Sequence, residues 1–255
     1  MTTPTLETSA GRVALVTGAA GSLGSAICHT LALAGYRIVI TYRHSEPEAR
    51  ALQTELPGGG HLLAQADVTN AASLTQLAQQ IESTYGRLDL LVNNAGMTRF
   101  VSHAALGELS DGLIDDIFRV NWRGAFAAAR ACRPLLEAGA TGVIVNISSV
   151  AGTTGQGSNV AYCASKAALD SMTRSLARAL APGIRVLSVA PGLVPGESIK
   201  DFDAEWSQVQ AASTPLGRLA TAKEVAAAVY AAAAYLTFST GCIIPVDGGR
   251  ALGTN

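Results

Sequence analysis

The chain has 255 residues, of which 49% are apolar and 15% charged, with a formal net charge of −1. That length suits one large α/β domain with ample material for a core, and the near-neutral charge excludes the basic footprint of a nucleic-acid binder. No apolar run approaches the ~20 residues needed to cross a bilayer, and the four scattered cysteines and four histidines have neither disulfide-framework nor metal-ligand spacing.

Met1 to Ala10 is polar and lacks the charged-then-apolar pattern of a signal peptide, so it reads as a flexible arm on a cytoplasmic protein with reduced thiols. Residues 11–255 read as one domain. Short apolar runs predict strands at Arg12–Val16, Arg37–Thr41, His61–Ala66, Leu88–Val92, Val143–Ile147, Ile184–Val189 and Cys242–Val246. Amphipathic segments between them predict helices at Ser22–Ala34, Glu46–Leu56, Ala71–Tyr85, Asp111–Leu136, Val160–Leu180 and Lys223–Ala234. This alternation predicts a single Rossmann-type domain: a doubly wound parallel sheet of about seven strands with helices on both faces. Leu193 to Leu219 breaks the rhythm with two Pro/Gly clusters around a short helix at Asp203–Ala212, and reads as a substrate lid.

Gly18 to Gly24 (GAAGSLG) joins the first strand to the first helix. Glycines there let the backbone turn tightly and approach a pyrophosphate, which the helix N-terminus meets with unpaired N–H groups. The strict G-x-G-x-x-G spacing is absent, so the turn alone does not establish a dinucleotide site. Tyr162 and Lys166 are four apart on a predicted helix and share a face. An ammonium beside a phenol favours the phenolate, so the spacing predicts a lowered tyrosine pKa and a proton relay to a substrate oxygen. Ser149 follows the fifth strand, where its hydroxyl could bond the same oxygen.

Taken together and in order, these motifs resemble the short-chain dehydrogenase/reductase family from about Arg12 to Gly249. Thr17 to Gly24 resembles the T-G-x-x-x-G-x-G cofactor loop, Asp67-Val68 the pair at adenine, and Asn93-Asn94-Ala95-Gly96 the N-N-A-G motif. Pro191-Gly192 resembles the turn beside the nicotinamide, and Val246-Asp247-Gly248-Gly249 the family's C-terminal V-D-G-G. The resemblance implies Tyr162 as acid/base, Lys166 as its support and ribose ligand, Ser149 as the group orienting the substrate, and Asn121 as the base of a proton relay. It implies cofactor contacts at Gly18, Ala20, Ser22, Leu23, Asp67, Val68, Asn94, Ala95, Gly96, Tyr162, Lys166, Pro191 and Gly192. Substrate contacts are expected at Ser149, Val150, Gln156, Tyr162 and Leu193, with Phe202 and Trp206 as further pocket candidates and no metal. The chain departs from the family pattern at Ser22, in place of a glycine, at Leu187, in place of an asparagine, and at Gly196, in place of a threonine near the carboxamide.

Counting along the second strand, the position where an acidic residue would stand falls on Tyr42, and Arg43, His44 and Ser45 follow. A carboxylate there would take a ribose 2′-hydroxyl, whereas a guanidinium, an imidazole and a hydroxyl suit a 2′-phosphate. The expected cofactor is therefore NADP(H) in preference to NAD(H), and the expected reaction hydride transfer to or from a small-molecule carbonyl or secondary alcohol. An NAD(H)-using sugar or polyol dehydrogenase and a catalytically silent cofactor-binding regulator are the alternatives. The resemblance implies a homo-oligomer, a tetramer, paired through the helices flanking the fifth strand; there Ala125, Ala127, Ala128 and Ala129 with Ala164, Ala167 and Ala168 allow close helix approach across a two-fold axis and also suit packing on the sheet.

Overall fold

In the computed structural model, residues 11–139, 142–196 and 204–252 are described. The N-terminal arm, and Ser198 and Phe202 within the 193–219 stretch, lie outside them. The first strand, β1 (Val13–Val16), is buried on both faces, as a central parallel strand requires. Around it lie β2 (Arg37–Tyr42), β3 (Leu62–Gln65), β4 (Leu90–Asn93), β5 (Gly142–Ile147), β6 (Ile184–Pro191) and β7 (Ile243–Val246). They form one seven-stranded sheet in the order 3-2-1-4-5-6-7, with every pairing parallel. The chain leaves β1 in one direction and returns to its other side at β4, so a crevice opens beyond the carboxyl ends of these two strands.

Side-chain alternation along β1 divides the core. Ala14 and Val16 face α1 (Ser22–Leu33), α2 (Glu46–Glu55) and, further along the sheet, α9 (Ala222–Ala234), where Ile27, Leu31, Leu52, Val225 and Val229 are buried. Val13 and Leu15 face the other layer, α3 (Ala71–Tyr85), α5 (Ala125–Ala138) and α7 (Val160–Leu180), through Leu74, Ile81, Cys132 and Leu136. Leu187 is fully buried in the first layer, so an apolar side chain at this departure fills core volume rather than making a polar contact. Cys28, Cys132 and Cys163 are buried free thiols.

The long helix expected at Asp111–Leu136 is not continuous. It comprises α4 (Asp111–Phe118), a π-helical turn (Arg119–Gly124) and α5, and the wide turn carries Asn121 inward. A four-residue helix, α6 (Ala151–Thr154), stands between β5 and α7, and α8 (Ala204–Ala212) forms the helix of the 193–219 stretch. The alanines expected at a helix–helix interface divide. Ala128 and Ala129 pack on the sheet and Ala125 packs against Leu169 and Met172, while Ala164 and Ala167 face outward. Among the described residues no helix is long and apolar enough to cross a membrane.

Candidate active site

A cleft of about 880 Å³ runs along the carboxyl ends of the strands. Thr17 fastens its floor: its hydroxyl accepts from the N–H groups of Asn94 and Ala95, both at 3.0 Å. The Asn94 amide donates to the carbonyls of Thr17 and Gly18, both at 3.0 Å, and so ties the glycine-rich turn to the end of β4. Gly18 has φ +63°, a left-handed conformation that favours glycine. At Gly24 a Cβ would stand 2.3 Å from the Gly18 carbonyl oxygen, so the turn closes on itself only with glycine there. A Cβ on Gly21 would meet nothing nearer than 3.6 Å, leaving its side towards the cleft open.

The N-terminus of α1 has no side-chain cap and no acidic residue in its first turn. Its N–H groups and its positive dipole end are thus available to an anion in the cleft. Ser22 replaces a glycine at this end, and its hydroxyl stands 3.3 Å from where a Cβ on Gly196 would lie. The two departures therefore face each other across the cleft.

Beyond β2, Arg43, His44 and Ser45 are exposed and line the same cleft. Asp67 lies opposite. Partial burial acts to raise its pKa, but bonds from the Thr69 N–H and hydroxyl, each 2.8 Å, and the nearby Arg43 and His44 charges hold it below the usual carboxylate range.

The other end of the cleft is built on β5 and α7. Asn159, fully buried, caps α7 by accepting from the Tyr162 N–H at 2.7 Å, and its amide donates to the Arg99 carbonyl, also at 2.7 Å. The cap fixes the first turn of the helix and with it Tyr162, which is half-buried. Lys166, 6% exposed, donates from Nζ to the Ile147 carbonyl at 2.8 Å and stands 5.6 Å from the centroid of the Tyr162 ring. Burial lowers the Lys166 pKa to about 8 against the pull of Asp170. Burial also raises Tyr162 above the usual phenol value, and the nearby Ser149 hydroxyl pulls the other way. The lowered phenol pKa expected from the lysine is thus not met: burial is the largest influence on the phenol, and the Lys166 charge is not among those that shift it.

Asn121 clasps the backbone of Met97, accepting from its N–H at 2.8 Å and donating to its carbonyl at 3.0 Å, and also donates to the Ser165 hydroxyl. It does not line the cleft. Gly96 separates it from the lysine: a Cβ there would lie 3.4 Å from Asn121 Oδ1 and 3.8 Å from Lys166 Nζ.

Every other described residue singled out for cofactor or substrate lines this cleft, including Ala20, Leu23, Val68, Val150, Gln156, Pro191, Gly192 and Leu193. Trp206 on α8 joins them. Met97, Thr98, Ser158, Gln210 and Arg250 also line it and carry no motif in the sequence. Arg250 tethers the wall that α8 forms, donating to the Gln210 carbonyl at 3.1 Å.

A parallel sheet with a glycine-rich turn and an uncapped helix N-terminus at its switch point, and with Ser149, Tyr162 and Lys166 in the same cleft, has the architecture of a dinucleotide-dependent oxidoreductase. Comparisons with known proteins place it further. Residues 18–251 match a family model described as enoyl-(acyl carrier protein) reductase. The chain is 36% identical to the 3-oxoacyl-[acyl-carrier-protein] reductase FabG of Escherichia coli over 94% of its own length and 97% of that protein. It is also 36% identical to cis-4-hydroxycyclohexanecarboxylate dehydrogenase of Sinomonas cyclohexanicum, over 95% of its own length and 98% of the relative's. Among solved structures it is similar to the Pseudomonas aeruginosa RhlG/NADP active-site complex, with a TM-score of 0.87 at 33% identity over 95% of this chain and 97% of that one. The chain belongs to the short-chain dehydrogenase/reductase family. It is an NAD(P)(H)-dependent oxidoreductase of carbonyl and alcohol groups.

Proposed function

We propose that the chain is an NADP(H)-preferring reductase of a 3-oxoacyl or comparable ketone, with Ser149, Tyr162 and Lys166 as its catalytic residues. The observation that carries this is the convergence of the Ser149 hydroxyl and the Tyr162 phenol in one cleft, with the buried Lys166 5.6 Å from the phenol ring. Two hydroxyls at one point suit a carbonyl oxygen, which accepts two hydrogen bonds, better than a carbon–carbon double bond. Burial keeps Tyr162 protonated until the substrate oxygen gains negative charge. The phenol then gives up its proton, Ser149 holds the oxygen, and the Lys166 ammonium stabilises the phenolate.

The bound nicotinamide supplies the hydride. The turn from Gly18 to Gly24 and the α1 N-terminus would hold its pyrophosphate, Asp67 and Val68 the adenine, and Arg43, His44 and Ser45 the 2′-phosphate. Lys166 would hold the ribose, with Asn94, Ala95, Gly96, Pro191 and Gly192 around the nicotinamide. Asn121 holds the Met97 backbone beneath the lysine. Val150, Gln156 and Leu193 would face the substrate, and the 193–219 stretch would form its lid.

The test is NADPH and NADH consumption with ethyl acetoacetate and with an acetoacetyl thioester. NADPH should be favoured about tenfold or more in kcat/KM, and the ketones should be reduced. A preference for NADH would overturn the cofactor assignment, and turnover of a 2-enoyl thioester alone would overturn the carbonyl assignment. The assembly we propose is a homotetramer in the cytoplasm. Trp122 and Phe126 stack 6.1 Å apart on the outer side of the π-turn and α5, supporting a subunit contact there. Light scattering that showed a monomer would refute it.

A further inference from the structure

Asp170 lies on α7 one turn beyond Lys166, 4% exposed, and one of its carboxyl oxygens, Oδ1, has no hydrogen-bond partner. A buried carboxylate is costly unless paired, so its surroundings need an account. Burial raises its pKa, and the nearby Ser148 and Ser188 hydroxyls act against that rise. Ser188 Oγ is 2.9 Å from Thr173 Oγ1, which accepts from Asn146 Nδ2 at 2.8 Å, and Asn146 Oδ1 accepts from Asn93 at 2.8 Å. This polar row passes under the active site from β4 through β5 and β6 to α7. It ends one helical turn from the lysine.

The hydroxyl protons along the row can be counted. Thr173 has one proton and two acceptors in reach, the Leu169 carbonyl at 3.0 Å and Ser188 Oγ. If Thr173 donates to Leu169, the Ser188 proton goes to Thr173 and Asp170 receives none from the row. If Thr173 donates to Ser188, the Ser188 proton is free for Asp170 and supports its carboxylate. The row has two consistent arrangements, and one of them supports a negative charge one helical turn from Lys166.

Lys166 needs that charge. Its Nζ has three N–H groups, and the bond to the Ile147 carbonyl is its one hydrogen bond among the described residues. Burial disfavours the ammonium, and Asp170 is the acid that opposes the loss. The charged groups acting on Asp170 are Lys166 and Arg174, both on its own helix, while β6 and the residue after β5 present only hydroxyls. Lys166 faces Tyr162 on its helix, the Ile147 carbonyl of β5 and, across Gly96, the neutral Asn121. We propose that Asp170 is a positioning residue, the buried counter-charge that keeps Lys166 an ammonium, set by the proton arrangement of the Ser188–Thr173–Asn146 row. Its consequence for turnover rests on the reading of Lys166 given above.

The chain has three lysines, Lys166, Lys200 and Lys223, so [13Cε]lysine labelling gives three signals that Lys200→Arg and Lys223→Arg assign. In Asp170→Asn the Lys166 titration midpoint should fall by roughly one pH unit or more. The alkaline limb of kcat for NADPH oxidation with ethyl acetoacetate should move with it. Asp170→Glu should restore both towards wild type. An unmoved Lys166 midpoint in Asp170→Asn would overturn the proposal. If that variant does not fold, Ser188→Ala gives the second reading. Losing a hydroxyl that stabilises the carboxylate should move the midpoint the same way by less, and no movement would again overturn the proposal. A moved midpoint with an unmoved kcat limb would uphold the counter-charge and refute the catalytic role of Lys166.

Discussion

The two ends of the cleft are built by opposite means. At the β2 end, Arg43, His44 and Ser45 sit on the surface after a strand, where solvent screens their charge. At the β5 end, Lys166, Asn121, Asn146 and Ser188 are nearly all buried, and each is bonded to backbone or to another buried polar group. Exposed charges can change identity without disturbing the fold and so suit the choice between two similar cofactors. Chemistry needs groups whose positions and pKa values are fixed before the substrate arrives, and burial in a bonded network fixes them. One end should therefore tolerate substitution and respond to salt, and the other should do neither.

The largest effect is expected at the buried end. Tyr162→Phe removes one hydroxyl and almost no volume, so it should lower kcat about 100- to 10,000-fold while cofactor affinity stays near wild type. Stopped-flow turnover together with cofactor fluorescence titration separates the two. A variant keeping more than about a few per cent of kcat, against the hundredfold minimum expected of a lost general acid, would remove Tyr162 from the chemistry.

The same contrast explains what the sequence could and could not reveal. The sheet was legible because β1, β2 and β5 are short β-branched runs, and the Tyr162–Lys166 pair because the period of a helix puts i and i+4 on one face. The π-turn that interrupts the helix expected at 111–136 was not legible, since nothing in Arg119 to Gly124 breaks the helical pattern. Its cause is tertiary: Asn121 turns inward to clasp the Met97 backbone. The direction of the Tyr162 pKa was misjudged for the same reason, because spacing reveals a neighbouring charge but not the burial that sets the direction. Gln210 on α8 and Arg250 after β7 reach the cleft from positions 40 residues apart, and no local pattern marks either.

Between the two ends, the glycine turn can be tested for whether its rigidity is structural. Gly24→Ala would put a Cβ 2.3 Å from the Gly18 oxygen and 2.8 Å from the Ala19 Cα, both backbone atoms that cannot yield cheaply. Overpacking of this kind costs about 1–3 kcal/mol, so the melting temperature should drop by several degrees and cofactor affinity should fall with it. Gly21→Ala, whose nearest neighbour is 3.6 Å away, should melt as wild type. Equal melting of the two variants would show that the turn is softer than its geometry implies.

The smallest expected effect is at the exposed end, and it is the most selective. Arg43 lines the cleft beside His44, and its backbone carbonyl is held by Gln65 Nε2 at 3.0 Å, so the turn keeps its shape when the side chain is cut. Arg43→Ala should leave melting and kcat unchanged, since no buried contact is lost. The ratio of kcat/KM for NADPH to that for NADH should fall about ten- to hundredfold, with nearly all of the change in KM for NADPH. Because the contact is solvated, the wild-type preference should shrink as salt is raised from 0.05 to 0.5 M, as about a threefold shorter Debye length requires, and the variant should respond less. Steady-state kinetics with both cofactors at two ionic strengths measures all of these. A ratio that survives the substitution would mean that His44, Ser45 or the α1 N-terminus makes the choice. A ratio insensitive to salt would mean that the phosphate is held out of water, and the proposed difference between the two ends of the cleft would then be wrong.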